Sequence, residues 1–219
     1  MSHIQFAPID QSKLRETVYE TLKQAFTVGA FAPGDVVSLR DLARQLAVSM
    51  TPVREAVRRL VAEGALVDTP SRTLMVPIFD ARRMHDLKCA RLALETLALD
   101  QALDRVDDEA IDSLESCLRS AGSAPDLNAN YRFHFELYRI GGSEVLLPMI
   151  EALWMQYGAY LNLIMRKRAI ETIEHHKYHH EILAALKARA RRPAHLALTA
   201  DIERSFSLLN ADFENGLDT

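Results

Sequence analysis

Apolar side chains at Leu14, Val18, Leu22 and Phe26 recur every four residues, the repeat of one helix face, and predict a first helix from Ser12 to Gly29 that closes in GAFAPGD. The short apolar run VVSL then predicts a strand, and Ser38 stands where a side-chain oxygen would cap a second helix running through Leu46. AVS makes a tight connection into TPVREAVRRLVAEG, a third helix with Pro52 in its first turn and Gly64 at its stop. ALVDTPSRTLMVPI predicts two strands, Ala65 to Asp68 and Leu74 to Ile78, bent around Pro70 and Ser71. Helix, strand, helix, tight turn, helix and hairpin is the order of a winged helix-turn-helix, in which the second helix of the turn motif enters the major groove of DNA.

From Arg82 onward the pattern is helical throughout, interrupted at DRVDD, AGSAPD, IGGS, near RKRAIET and at RARRP. Six helices are predicted, over 81–104, 108–121, 126–140, 144–166, 169–190 and 193–214, with Ser143 as a cap and Pro193 in a first turn. The expected fold is mainly α: a winged helix-turn-helix over residues 1–79 and an all-helical bundle over residues 80–219, joined around Phe79 to Arg82.

At 219 residues and 48% hydrophobic composition the chain can bury a sizeable core. No apolar run approaches the roughly 20 residues of a membrane span, and MSHIQFAPID lacks the basic-then-apolar order of a signal peptide, so a cytoplasmic protein without membrane contact is expected. Cys89 and Cys117 match no metal or redox spacing and are expected as small buried apolar side chains. The net charge of −4 argues against indiscriminate coating of nucleic acid. Residues 1–80 nevertheless hold nine Lys/Arg against nine Asp/Glu, so the whole excess of negative charge lies in the helical half.

A recognition helix reaches base edges only from its first turns, which places Ser49, Met50, Thr51 and Arg54 at the bases. Arginine can bond guanine O6 and N7 together, which typically adds about 1–3 kcal/mol of discrimination. Arg58 and Arg59, a turn later, are expected toward the DNA backbone or solvent, while Arg40 at the start of the second helix and Arg72 at the wing tip would flank the same groove. The stretch AFAPGDVVSLRDLARQLAVSMTPVREAVRRLVAEGALV resembles the DNA-binding domain of the GntR family of bacterial transcription regulators, over about residues 10–78. The resemblance implies DNA contacts from Arg40, Ser49, Thr51 and Arg54. Two positions depart from it: Met50 stands where arginine is usual, so that one base contact is lost or replaced by an apolar one, and Thr73 stands where the wing usually carries glycine.

In the helical half, Met84, Leu87, Arg91, Leu94 and Ala98 form an inward line that Arg91 interrupts. A guanidinium in apolar company needs an anion, either Glu95 one turn on or the carboxylate of an effector. His179 points inward with His175, Ile182 and Leu186, whereas His176 and His180 are displaced from that face. Asp201 lies on an inward line with Leu198, Ser205 and Leu208, and Asn130 and His134 share one side of their helix. A carboxylate and two imidazoles turned inward either satisfy one another by hydrogen bonds or converge on a divalent metal.

RLALE, FHFELYRIGGSEVL and HHEILAAL are similar to the ligand-binding domain called FCD, found in the FadR-type branch, and six helices rather than seven resemble its VanR-like subgroup. That resemblance implies a metal held by Asn130, His134, His179 and Asp201, with an organic acid completing its shell. Asn130 replaces the usual acid and Asp201 the usual last histidine, so the carboxylate has changed sides with the ligand charge preserved. The expected function is a non-enzymatic, homodimeric transcription regulator, a repressor. It would read a palindromic operator in double-stranded DNA and respond to a small organic acid bound by Arg91 with a zinc-, nickel- or manganese-like ion. The rival readings are a metal-dependent hydrolase built on His134, His179 and Asp201, and a helical protein-binding module without DNA affinity.

Overall fold

The computed structural model describes residues 11–70, 73–121, 126–165 and 176–214. Helix α1 (Gln11–Thr27) buries Val18, Tyr19, Leu22 and Phe26 along the predicted face. Helix α2 (Leu39–Gln45) starts at Ser38, whose hydroxyl accepts from the Asp41 N–H at 3.3 Å. Its connection to α3 (Met50–Ala62) is tight enough to hold Ala47 at φ 54°. Helix α3 buries Val53, Ala56, Val57 and Leu60. It ends where Gly64 adopts φ 78°, a conformation a side chain would strain.

Strands β1 (Val36–Val37), β2 (Val67–Asp68) and β3 (Leu74–Met75) form one antiparallel sheet in the order β1-β3-β2, with Val36 opposite Met75 and Asp68 opposite Leu74. All three are shorter than predicted. Leu39 already belongs to α2, Ala65 and Leu66 turn back to bond the Leu60 carbonyl, and Pro77 has no N–H with which to extend the ladder.

The second half comprises, among the described residues, α4 (Ala81–Arg105), α5 (Asp108–Ser120), α6 (Leu127–Ile140), α7 (Leu146–Met165), α8 (Lys177–Lys187) and α9 (Arg191–Glu214). Asp80, Asp107 and Asp126 cap α4, α5 and α6 through side-chain oxygens, and Ser143 accepts from the Leu146 N–H at 3.1 Å. Helix α8 stops at Lys187 rather than at residue 190, because Arg189 takes φ 50° and Ala190 bonds back to the Ala185 carbonyl. The start predicted for it at residue 169 lies outside the described residues. Helix α4 packs against α6, α7 and α9, and α8 lies along α9. Cys89 is exposed, with its Sγ 3.5 Å from His85 Nε2, and Cys117 is half-buried, so neither is the core residue expected: both fall beside the inward line of their helix.

The two halves share one continuous apolar core, joined through α7. Gly158 on α7 lies so close to the end of α1 that a Cβ there would meet the Phe26 carbonyl oxygen at 1.9 Å. Around that contact, Lys23 pairs with Glu151 at 3.0 Å and Gln156 donates to the Glu63 carbonyl at 3.0 Å. Tyr160 bridges the connecting segment, accepting from the Phe79 N–H and donating to the Pro77 carbonyl. No described helix is long and apolar enough to cross a membrane. Gly158→Ala should force α1 off α7 and lower stability by about 1–3 kcal/mol, read as a reduced unfolding midpoint in chemical denaturation.

Candidate DNA-reading face and buried polar site

On α3, Thr51, Arg54 and Arg58 are exposed along one face, Ser49 is exposed at the helix start with no side-chain cap bond, and Arg40 is exposed on α2. Ion pairing sorts the arginines of this half. Arg44 is held by Asp41 at 2.6 Å and Arg15 by Glu55 at 3.1 Å. Arg59, expected toward the DNA backbone or solvent, is exposed, but it pairs with Glu16 at 2.9 Å and stacks 3.4 Å over the Tyr19 ring, so it braces α3 against α1. Arg40, Arg54 and Arg58 form no ion pair with any described residue, which leaves their donors open to an external anion. Met50 is half-buried and packs on the apolar core, so only part of its thioether side chain is available at the surface. Arg72 lies outside the described residues. Thr73 closes the wing turn, its N–H donating to Thr69 Oγ1 at 3.1 Å.

The inward polar residues of the helical half meet in one place. Helix α4 brings Arg91 and Glu95, α6 His134 and Tyr138, α7 Trp154 and Tyr157, α8 His179, and α9 Asp201. Arg91, Glu95, His134 and His179 are at most 3% exposed and Asp201 is 7% exposed, which desolvates every charge among them. Arg91 Nε donates to Glu95 Oε1 at 2.6 Å, and its Nη2 reaches Oε2 at 3.3 Å. The guanidinium lies over Trp154 and Tyr157, 4.5 and 4.7 Å from the ring centroids. Of the two partners open to Arg91, the internal one is therefore present. The buried Tyr157 hydroxyl beside it has no hydrogen-bond partner among the described residues. Burial pushes that phenol above its ordinary value, so it remains a donor.

His134 Nε2 lies 3.0 Å from Asp201 Oδ2 and 3.2 Å from His179 Nε2, and the latter lies 3.8 Å from the same oxygen. A point about 2 Å from all three atoms satisfies these separations, close to the roughly 2.0–2.2 Å at which nitrogen and carboxylate oxygen ligate zinc. The protonation states suit such ligands. Burial drives the His179 imidazole down to about 3, against the pull of Asp201, so it is neutral. Burial alone would raise the Asp201 carboxyl, but His134 at hydrogen-bond distance and the nearby positive charge of Arg204, 3.0 Å from Oδ1, hold it well below the usual range. Asn130 is half-buried one turn before His134, and its side chain makes no hydrogen bond with a described residue.

Several residues at this site escape a reading based on inward faces alone: Tyr138, Trp154, His176 and Arg204. Tyr138 contacts His134 at 3.1 Å from position i+4, Arg204 contacts Asp201 from i+3, and His176 Nδ1 lies 3.2 Å from His179 Nδ1 from i−3. Helical spacing from each candidate ligand is the signal that could have found three of them. Trp154, which donates to Glu95 Oε1 at 3.1 Å, has no such signal because it comes from another helix. His175 lies outside the described residues, and His180 is exposed.

Residues 14–75 match the family described as bacterial regulatory proteins, gntR family, and residues 86–204 match the FCD domain. The chain is 30% identical over 200 residues to the HTH-type transcriptional regulator McbR of Escherichia coli (strain K12), covering 88% of this chain and 90% of that protein. It is 27% identical over 184 residues to the Nta operon transcriptional regulator of Aminobacter aminovorans (80% and 85%), and 26% over 185 residues to the HTH-type transcriptional repressor GlaR of Escherichia coli (78% and 84%). The solved structure of E. coli McbR/YncC superposes with a TM-score of 0.83 at 29% identity, over 90% of this chain and 97% of that one.

Glu95→Ala would leave a guanidinium buried without its counter-charge and should lower stability by about 3–5 kcal/mol, whereas replacing Arg91 by Met and Glu95 by Leu together should recover much of that loss. Equilibrium denaturation of the two variants beside the wild type measures both effects.

Proposed function

Because the chain belongs to the GntR family of bacterial regulatory proteins and carries an FCD domain, and is thus a DNA-binding transcriptional regulator, we propose that it is a metal-dependent, organic-acid-responsive repressor acting as a homodimer. The observation that carries this reading is the convergence of His134 Nε2, His179 Nε2 and Asp201 Oδ2 in a buried cluster of the helical domain. Two imidazoles and one carboxylate are a donor set for zinc, nickel or manganese, and Asn130 stands one turn away as a further oxygen ligand. A divalent ion there supplies a coordination position for the carboxylate of a small organic acid. The Arg91 guanidinium, whose Nε and Nη2 are turned to Glu95, and the unpartnered hydroxyl of Tyr157 are donors for the same ligand. Of the buried groups, Glu95 and Asp201 against Arg91 leave one negative charge in excess, so a divalent ion reverses the balance to one positive and favours a monoanion.

On the DNA side, Arg54 bonds a guanine of the operator, Ser49 and Thr51 contact bases or phosphates, and Arg40 and Arg58, with Arg72 at the wing, hold the backbone. A symmetric dimer presents two such faces to a palindrome, so its response to the acid requires that the acid bind more tightly to a dimer geometry that misfits the half-site spacing. Helix α7 is suited to couple the two, since Trp154 and Tyr157 face Arg91 while Glu151, Gln156, Gly158 and Tyr160 hold the reading domain. Repression is favoured by the relative GlaR, named a repressor. The relatives are named as regulators, and the hydrolase and protein-module readings are set aside.

Arg54→Ala should weaken operator binding by about 1–3 kcal/mol and relax preference at one base pair, measured by titrating operator variants at constant salt. His179→Ala should lose the divalent ion that elemental analysis finds in wild-type protein prepared without chelator; wild-type protein that is metal-free under those conditions would overturn the metal reading.

A further inference from the structure

The recognition helix α3 is tied to the helical domain at its C-terminal end. The last carbonyls of a helix have no partner within it, and the carbonyl of Glu63, the cap of α3, is met from the other domain by Gln156 Nε2 at 3.0 Å. The opposite atom of the same amide, Gln156 Oε1, accepts from Arg83 Nη2 in the first turn of α4 at 2.8 Å. Gly64 leaves the room this requires, because a Cβ there would meet Gln156 Cδ and Nε2 at 3.0 Å. One side chain of α7 thus bonds α3 on one side and α4 on the other. The bond to Glu63 is, among the described residues, the one hydrogen bond that reaches α3 or its cap from the helical domain. An amide can make both contacts because it donates and accepts, whereas an ionised Glu only accepts and a Lys only donates.

A rigid body keeps its orientation only when held at points that do not share a line. The reading domain meets α7 at three places: at the end of α1, where Phe26 lies beside Gly158 and Lys23, one turn earlier, pairs with Glu151; at the Pro77 to Phe79 connection through Tyr160; and at Glu63 through Gln156. The first two leave the domain free to tilt about the line between them, and the third stops that tilt at the recognition helix itself. We propose that the Gln156 amide fixes the tilt of α3 against the helical domain, and through it the separation of half-sites that a dimer can read. Gln156 is a positioning residue for DNA reading and sits at the end of α3 away from the bases. The tilt stands on the contacts just described; its effect on half-site separation rests on the homodimer reading above. Trp154 and Tyr157, two residues before Gln156 and one after it, face Arg91, so a ligand that moves α7 there acts on α3 through this one amide.

The test compares the full-length wild type with Gln156→Ala and with Gln156→Glu, which keeps an acceptor for Arg83 and loses the donor for Glu63. Spin labels on the exposed Cys89 of α4 and, after Gln45→Cys, at an exposed position of α2, which packs against α3, read the distance between the domains. Cys117→Ser removes the other thiol, and dilution into unlabelled protein confines the reading to one chain. The wild type is expected to give one narrow distance distribution and both variants a broadened or shifted one. DNA binding is measured on the duplex that the wild type selects from a random library, and on copies with base pairs added or removed between the half-sites. The wild type should favour one separation, and both variants should lose about 3- to 10-fold of that preference, the scale of a single hydrogen bond, with base preference within a half-site unchanged. Variants that unfold at lower denaturant but keep the wild-type distances and separation profile overturn the proposal. Altered distances with an unaltered profile overturn the link to half-site separation. Wild-type protein that sediments on DNA as a monomer sinks the dimer reading, and the label distances then still decide whether Gln156 holds α3.

Discussion

The helical domain is organised around charge that has been taken out of water. Arg91, Glu95, His134, His179 and Asp201 are all buried, and a bundle this apolar tolerates them only because each has a polar partner, Glu95 on the same helix for Arg91 and side chains of other helices for the rest. That requirement constrains the packing more tightly than apolar contact does. Leucines can slide by an ångström at little cost, but a guanidinium facing the two oxygens of Glu95, with an indole and a phenol on the same carboxylate, admits essentially one arrangement of α4, α6 and α7.

The same constraint ties the pocket to the reading domain. Helix α7 presents Trp154 and Tyr157 to the buried arginine, and a few residues away the missing side chain of Gly158 lets α1 approach to contact. Anything that changes the position of α7 against α4 is felt at α1, at the Glu63 carbonyl through Gln156, and at the Pro77 to Phe79 connection through Tyr160. Ion pairing within the reading domain divides its arginines between structure and recognition. Arg59 is bound to α1, while Arg54 and Arg58, exposed on α3, make no ion pair with a described residue.

Much of this was legible along the chain. The winged helix-turn-helix order, the capping residues Ser38 and Ser143, the open face of Thr51 and Arg54, and the inward direction of His134, His179 and Asp201 all follow from spacing, because direction around a single helix axis is a local property. The partners of Arg59 were not legible, for the complementary reason. Nothing local distinguishes it from Arg58; only the approach of Glu16 and Tyr19 from α1 does. Cys89 likewise proved exposed because helical membership alone does not say which side of the inward line a residue takes.

By itself, then, the chain determined which residue types turn inward, where helices begin and stop, and which short segment can read DNA, since these depend on backbone periodicity and capping within a few residues. The tertiary structure alone decided which inward polar atoms from different helices meet: that Trp154 and Tyr138 both reach Glu95, that Tyr138 stands between Glu95 and His134, and that three ligand atoms surround one point. Those outcomes depend on the translation and rotation of one helix against another, set by packing summed over the whole core, and no repeat within a single helix encodes them.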